Sequence, residues 1–173
     1  IETNREWLTA ADAPSVGPAD ADVTVVEFFD YNCGYCKKAL PDINAVLESD
    51  KSVRFVFHEF PVLGPTSRTA ALWALAAQKQ GKYFEYHAAL MEDTANKDEA
   101  TLSKIAADVG LDVDQMKTDA ASDEIAAQLA KSMEVAQELG IQGTPAFIIG
   151  DQLIPGYVGE EGLKNAIETE RAE

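Results

Sequence analysis

Outside positions 33 and 36 the sequence contains no cysteine, so it carries no disulfide framework of the kind that staples small secreted folds. Basic residues are also scarce. Fourteen Lys and Arg face 30 Asp and Glu, and the formal charge of -16 repels both nucleic-acid phosphates and anionic lipid headgroups. The acidity reads as a solvated surface. No apolar run approaches the roughly 18 residues that a membrane-spanning helix requires. Internal repeats and low-complexity linkers are missing as well. With only His58 and His87 available, and neither close-paired with the cysteines, a finger-type zinc site has too few ligands, and both histidines read as structural or surface residues. The first residue is Ile1 rather than Met, which points to the removal of an upstream segment such as a secretion signal or a further module.

What is present fits one domain with a sizeable core: 173 residues, 46% of them hydrophobic. Residues 1–22, rich in Ala, Asp and Pro, read as an arm, with a short helix and an extended approach anchored by Trp7, Leu8 and Val16. Val23–Phe29 is almost entirely apolar and β-branched or aromatic, the pattern of a central strand buried on both faces. Cys36, Leu40, Ile43 and Leu47 then recur at helical spacing, so a helix starts beside the cysteine pair, with a kink expected at Pro41. Val53–Phe60 is a second strand, parallel to the first because the helix supplies the crossover, which makes a right-handed βαβ unit. Helices are expected over 66–80, 83–92, 99–109, 113–120 and 123–139, several of them ended by glycine. Residues 146–149 and 153–155 form a hairpin around Gly150-Asp151, and a last helix covers 160–170. The expected organisation is therefore an α/β sheet domain from residues 23–64 and 141–173, interrupted by an all-helical lobe at 65–140.

The chemistry concentrates where the first strand gives way to the first helix. Unpaired N–H groups and the helix dipole favour a thiolate at Cys33. Lowering a thiol from about 8.5 to below 7 takes roughly 2 kcal/mol, within reach of a dipole plus direct N–H···S bonds. Cys36, one turn further in, is the resolving thiol. As a structural staple so short a loop contributes only about 2 kcal/mol, so reactivity explains the pair better than stability. Glu27 stands among Val25, Val26, Phe28 and Phe29. Spacing leaves two readings: a buried acid that moves a proton for Cys36, or a carboxylate paired with Lys37 or Lys38 or lying at a strand edge. Gly143-Thr144-Pro145 directly precedes a strand and marks a special turn.

Together, VVEFFDYNCGYC, Pro41 five residues after the second cysteine, the helical insert and GTPAFIIGDQLIPGY resemble the thioredoxin superfamily, in particular its DsbA-like branch of bacterial disulfide proteins. The resemblance covers about residues 20 to 170. It implies a thioredoxin-like fold and a cis Pro145 facing the cysteines. It implies a substrate peptide paired with the Thr144 backbone and contacting Gly34, Tyr35 and Gly143, and it makes Glu27 the buried acid beneath the site. It further implies a redox-active Cys33–Cys36 disulfide with no other cofactor and no resident metal. The implied partners are unfolded or partly folded cysteine-containing proteins and a membrane oxidase or reductase. The implied location is the periplasm of a Gram-negative bacterium, with envelope association open. Gly34-Tyr35 differs from the Pro-His of the strongest oxidases and resembles DsbC isomerases and ScsC-like proteins, which implies a less oxidising disulfide. Oxidase is preferred because only the arm precedes the fold, where such isomerases carry an oligomerisation segment. Isomerase or reductase, a Cu(I)-binding module using the same cysteines, and an inert scaffold are the alternatives.

Overall fold

A computed structural model describes all residues, 1–173. After a single 3-10 turn at Glu2–Asn4 come α1 (Arg5–Leu8), β1 (Ser15–Val16), β2 (Val23–Phe29), α2 (Gly34–Ser49) and β3 (Val53–Glu59). The helices α3 (Pro65–Lys79), α4 (Tyr83–Glu92), α5 (Glu99–Asp108), α6 (Val113–Ala120) and α7 (Asp123–Glu138) follow in succession. The chain closes with β4 (Ala146–Ile149), β5 (Gln152–Pro155) and α8 (Gly159–Arg171).

The five strands form one sheet in the order β1-β3-β2-β4-β5. β2 runs parallel to β3 and antiparallel to β4, and β5 is antiparallel to β4. The two-residue turn Gly150-Asp151 joins Ile149 to its partner Gln152. Gly150 has φ 59°, while no residue other than glycine has positive φ, as a type II′ hairpin requires. The arm does more than approach the sheet: Ser15 and Val16 pair antiparallel with Val56 and Phe55, making β1 an edge strand. A two-residue strand has no alternation to recognise, so its place was not legible from the sequence.

Alternation along β2 divides the core. Val23, Val25 and Phe29 face the larger cluster, where Ile43 and Val46 of α2, Trp73 of α3, Tyr86 and Leu90 of α4 and Leu163 and Ile167 of α8 pack. Val26 and Phe28 face the smaller cluster with Leu8 of α1 and Val135 and Ala136 of α7. The end of the helical segment thus covers the opposite face of the sheet, and Ser132 Oγ ties α7 to the end of β3 by donating to the Glu59 carbonyl at 2.6 Å. Pro41 lies inside α2, which continues through it as one helix from residue 34 to residue 49.

Candidate active site

Burial on both faces makes β2 rigid, so the residues that leave its end are held firmly. Asp30, itself buried, organises that exit: its Oδ1 accepts from Asn32 N and Ser67 Oγ, each at 2.7 Å. Its Oδ2 accepts from Val62 N at 2.8 Å and Leu63 N at 2.9 Å. Cys33 N donates to the Asp30 carbonyl at 3.1 Å, which fixes the approach to the helix. Cys33 is then the N-cap residue of α2, and Cys36 N donates to its Sγ at 3.4 Å. A sulfur occupies the place that a Ser or Asp oxygen usually fills at a helix start.

Cys33 Sγ also lies 3.4 Å from the Thr144 carbonyl oxygen, a contact across 111 positions of sequence. The Thr144–Pro145 peptide bond is cis, and Pro145 O accepts from Gly156 N at 2.8 Å. Gly143, Thr144 and Pro145 line one side of a groove of about 250 Å³ that Leu153 and Pro155 help to close. The structure thus brings Thr144 against the reactive sulfur and sets Gly143 and Pro145 beside it, with Gly34 and Tyr35 in the first turn of α2.

The two thiols have opposite electrostatics. The Cys33 pKa falls from the ordinary 9.0 to about 6, first through a hydrogen bond from the Cys36 thiol, then through Thr144 and the N–H groups of Cys36 and Tyr35, against partial burial. Cys36, 1% exposed against 8% for Cys33, is pushed far up by burial, then by its bond to Cys33 and the charge of Glu27. One sulfur is therefore ionised at neutral pH while its neighbour keeps its proton.

Glu27 is 1% exposed and pairs across the sheet with Phe57 and Phe147. Its Oε2 has no hydrogen-bond partner. Burial, then the negative charge of Cys33, raise its pKa well above the ordinary 4.5. Neither lysine pairs with it. Lys37 Nζ donates to the carbonyls of Leu90, Met91 and Asp93 at the end of α4, and Lys38 Nζ sits over the Tyr157 ring at 4.9 Å. The alternative of an ion-paired or strand-edge Glu27 is thereby corrected: the lysine stems lead to other acceptors, and β2 is central in the sheet.

The histidines are committed elsewhere. His58 Nε2 lies 2.9 Å from the Leu8 carbonyl, and burial holds its pKa near 4. His87 Nδ1 meets Tyr31 Oη at 2.8 Å, and burial holds it near 3. Sequence reading did not single out Asp30, Glu59, Tyr83 or Tyr157. Glu59 is a second buried carboxyl, with Tyr83 Oη donating to Oε2 at 3.1 Å and Oε1 unpartnered. Its position, Glu59 opposite Phe29 at the apolar end of β3, carried the same signal as Glu27.

A family model described as a DSBA-like thioredoxin domain matches residues 24–168. A solved thioredoxin-like oxidoreductase from Silicibacter pomeroyi superposes with a TM-score of 0.94 at 43% identity, covering 98% of this chain and 99% of that one. Disulfide bond formation protein D of Bacillus subtilis is 28% identical over 91% of this chain and 76% of its own length. A Na(+)/H(+) antiporter NhaA of Salinispora tropica is 32% identical over 87% of this chain, yet only 24% of the antiporter is covered. The chain thus spans about a quarter of the first curated relatives it matches. No helix is long and apolar enough to cross a membrane. With a family model matched over residues 24–168 and the same fold in its solved relative, the chain belongs to the DSBA-like thioredoxin domain family.

Proposed function

We propose that the chain forms disulfides in unfolded or partly folded proteins by donating its own Cys33–Cys36 disulfide. The observation that carries this reading is the stabilised Cys33 thiolate, because stabilising the reduced form makes the disulfide a stronger oxidant. A substrate thiolate attacks Cys33 Sγ, the Cys33–Cys36 bond breaks, and Cys36 leaves and takes up a proton. Glu27, buried and with its pKa raised well above 4.5, is the group we assign to supply that proton. A second substrate thiolate then attacks the substrate sulfur of the mixed disulfide and releases Cys33 as a thiolate. The extended substrate lies along Gly34, Tyr35, Gly143, Thr144 and Pro145. A separate redox protein reoxidises the pair, and the periplasm is the compartment where such donation is useful.

Gly34-Tyr35 supports a second reading, isomerase or reductase, because this dipeptide provides no imidazole donor to Cys33. Refolding of ribonuclease separates the two. Regain of activity from the reduced enzyme, lost in Cys33→Ser, supports donation; recovery only from the scrambled enzyme would assign isomerisation. Iodoacetamide labelling of the reduced protein should show one thiol titrating near pH 6, and two ordinary thiols near pH 9 would remove the basis of both readings.

A further inference from the structure

A second carboxyl stands beside the one assigned to Cys36. Glu27 on β2 is opposite Phe57 and Glu59 on β3 is opposite Phe29, so the two glutamates are diagonal neighbours on adjacent strands. Both alternate in step with Phe29 and Phe57 of the larger cluster, which puts them on the same face of the sheet. Strands about 4.8 Å apart, rising about 3.3 Å per residue, set their Cα atoms roughly 8 Å from each other, within reach of two such side chains. Glu27 and Glu59 are buried, and each keeps one oxygen without a hydrogen-bond partner, Oε2 of Glu27 and Oε1 of Glu59. The other oxygen of Glu59 is taken: Tyr83 Oη of α4 donates to it at 3.1 Å. Lys37 is spent on the end of α4, Arg54 donates to the carbonyls of Thr9 and Ala10, and His87 meets Tyr31, so none of these pairs with either carboxyl.

We propose that Glu59 is a positioning residue for the proton that reaches Cys36: its O–H, on the oxygen that Tyr83 leaves free, donates to the carboxylate formed on Glu27 as Glu27 gives its proton to the departing Cys36 thiolate. The inference deepens the proposed disulfide donation and rests on it. A carboxylate formed alone in an apolar sheet is costly, and without a donor Glu27 would hold its proton too firmly. A protonated carboxyl has one O–H to give and still accepts at its other oxygen, which matches Glu27 on one side and the Tyr83 hydroxyl on the other. Burial raises Glu59 well above the ordinary 4.5 against the hydroxyls of Tyr83 and Tyr31, and the charges of Asp30 and Glu27 raise it further. Ionisation of Glu27 therefore tightens the hold of Glu59 on its own proton. Glu27 itself answers to burial and then to Cys33 of α2, while β4 sets only Phe147 opposite it. The proton count closes: one O–H bond breaks on Glu27, one S–H bond forms on Cys36, Glu59 keeps its hydrogen, and solvent later returns a proton to Glu27.

Stopped-flow release of Cys36 from the oxidised full-length protein by a dithiol peptide tests the assignment. Glu59→Leu removes the O–H and should slow release about tenfold, the lower end for a hydrogen bond to a charged group. Glu59→Gln has the shape and the donor of a protonated carboxyl and should keep the wild-type rate. In a Glu27→Gln background Glu59→Leu should add nothing, because its effect runs through Glu27. Carbon-13 NMR of the side-chain carboxyls gives a readout that packing alone would not move: the Glu27 midpoint should rise by about one pH unit in Glu59→Leu, matching the tenfold loss, and stay in place in Glu59→Gln. Glu59→Met takes the place of Glu59→Leu should the latter fail to fold. Wild-type release with an unmoved Glu27 midpoint in Glu59→Leu overturns the assignment, as does a Glu59→Gln protein as slow as Glu59→Leu. Wild-type release in Glu27→Gln, or a wild type that oxidises no dithiol peptide, overturns the parent reading instead, so the two failures are distinct.

Discussion

Glu27 illustrates how much one buried side chain can control. A carboxyl group with an unpartnered oxygen is costly in an apolar sheet, and packing alone would favour a residue such as Val. Burial, then the charge of Cys33, raise its pKa well above 4.5, and in the proposed reaction it passes a proton to Cys36. Replacing Glu27 with Gln preserves shape and removes the proton. Release of Cys36 in stopped-flow reaction with a substrate thiol should slow by about tenfold, less than full general acid catalysis provides because a thiolate can also leave unprotonated. An unchanged rate across pH 6 to 8 would exclude Glu27 from proton transfer. Lys37 belongs to the same scale: burial, then the charge of Lys97, bring its pKa down to about 8, yet its ammonium is spent on the end of α4.

At the scale of the element, α2 must both activate a sulfur at its start and pack tightly along its length. Ala39, Leu40, Ile43 and Val46 bury one face, which holds the helix start rigidly against the sheet. Pro41 stands within this helix without an N–H for the Lys37 carbonyl, and it lies on the exposed side. Pro41→Ala therefore removes a local defect without opening a cavity. Urea unfolding of the variant should show a gain of about 1 to 3 kcal/mol, the range of the proline penalty inside a helix. A loss of stability would mean that the proline makes a packing contribution larger than its helical cost.

At the scale of the whole molecule, buried groups of opposite type set the pH dependence of stability. Glu27 and Glu59 have raised pKa values, so folding retains protons that the unfolded chain releases near 4.5. His58 and His87 have lowered values, so folding refuses protons that the unfolded chain takes up below 6.5. Between 4.5 and 6.5 the two pairs oppose each other, the carboxyls favouring proton retention by the folded state and the histidines proton uptake by the unfolded one. Above 6.5 the unfolded histidines are neutral, and the raised carboxyl values, no longer opposed, make rising pH favour unfolding. Stability of the oxidised protein, where no Cys33 thiolate contributes, should be nearly flat from pH 4.5 to 6.5. It should then decline as the pH rises further, the direction set by the raised carboxyl values. Glu59→Gln should reduce that slope, and a rise in stability over the same interval would contradict the protonation scheme.

The sequence by itself determined the elements that declare themselves through short-range periodicity: the doubly buried β2 and β3, the glycine-ended helices, and the hairpin at Gly150-Asp151. It also marked Cys33 and Cys36, because two cysteines one helical turn apart after a buried strand have little structural use. Only the tertiary structure placed Thr144 against Cys33, isolated Glu27 by drawing Lys37 and Lys38 to other acceptors, and gathered residues 32, 62, 63 and 67 around Asp30. It alone made Ser15 and Val16 an edge strand. The physical reason is range: strand and helix patterns are written by neighbours two to four positions apart, whereas a buried charge is defined by which distant donors reach it once the chain has closed around it.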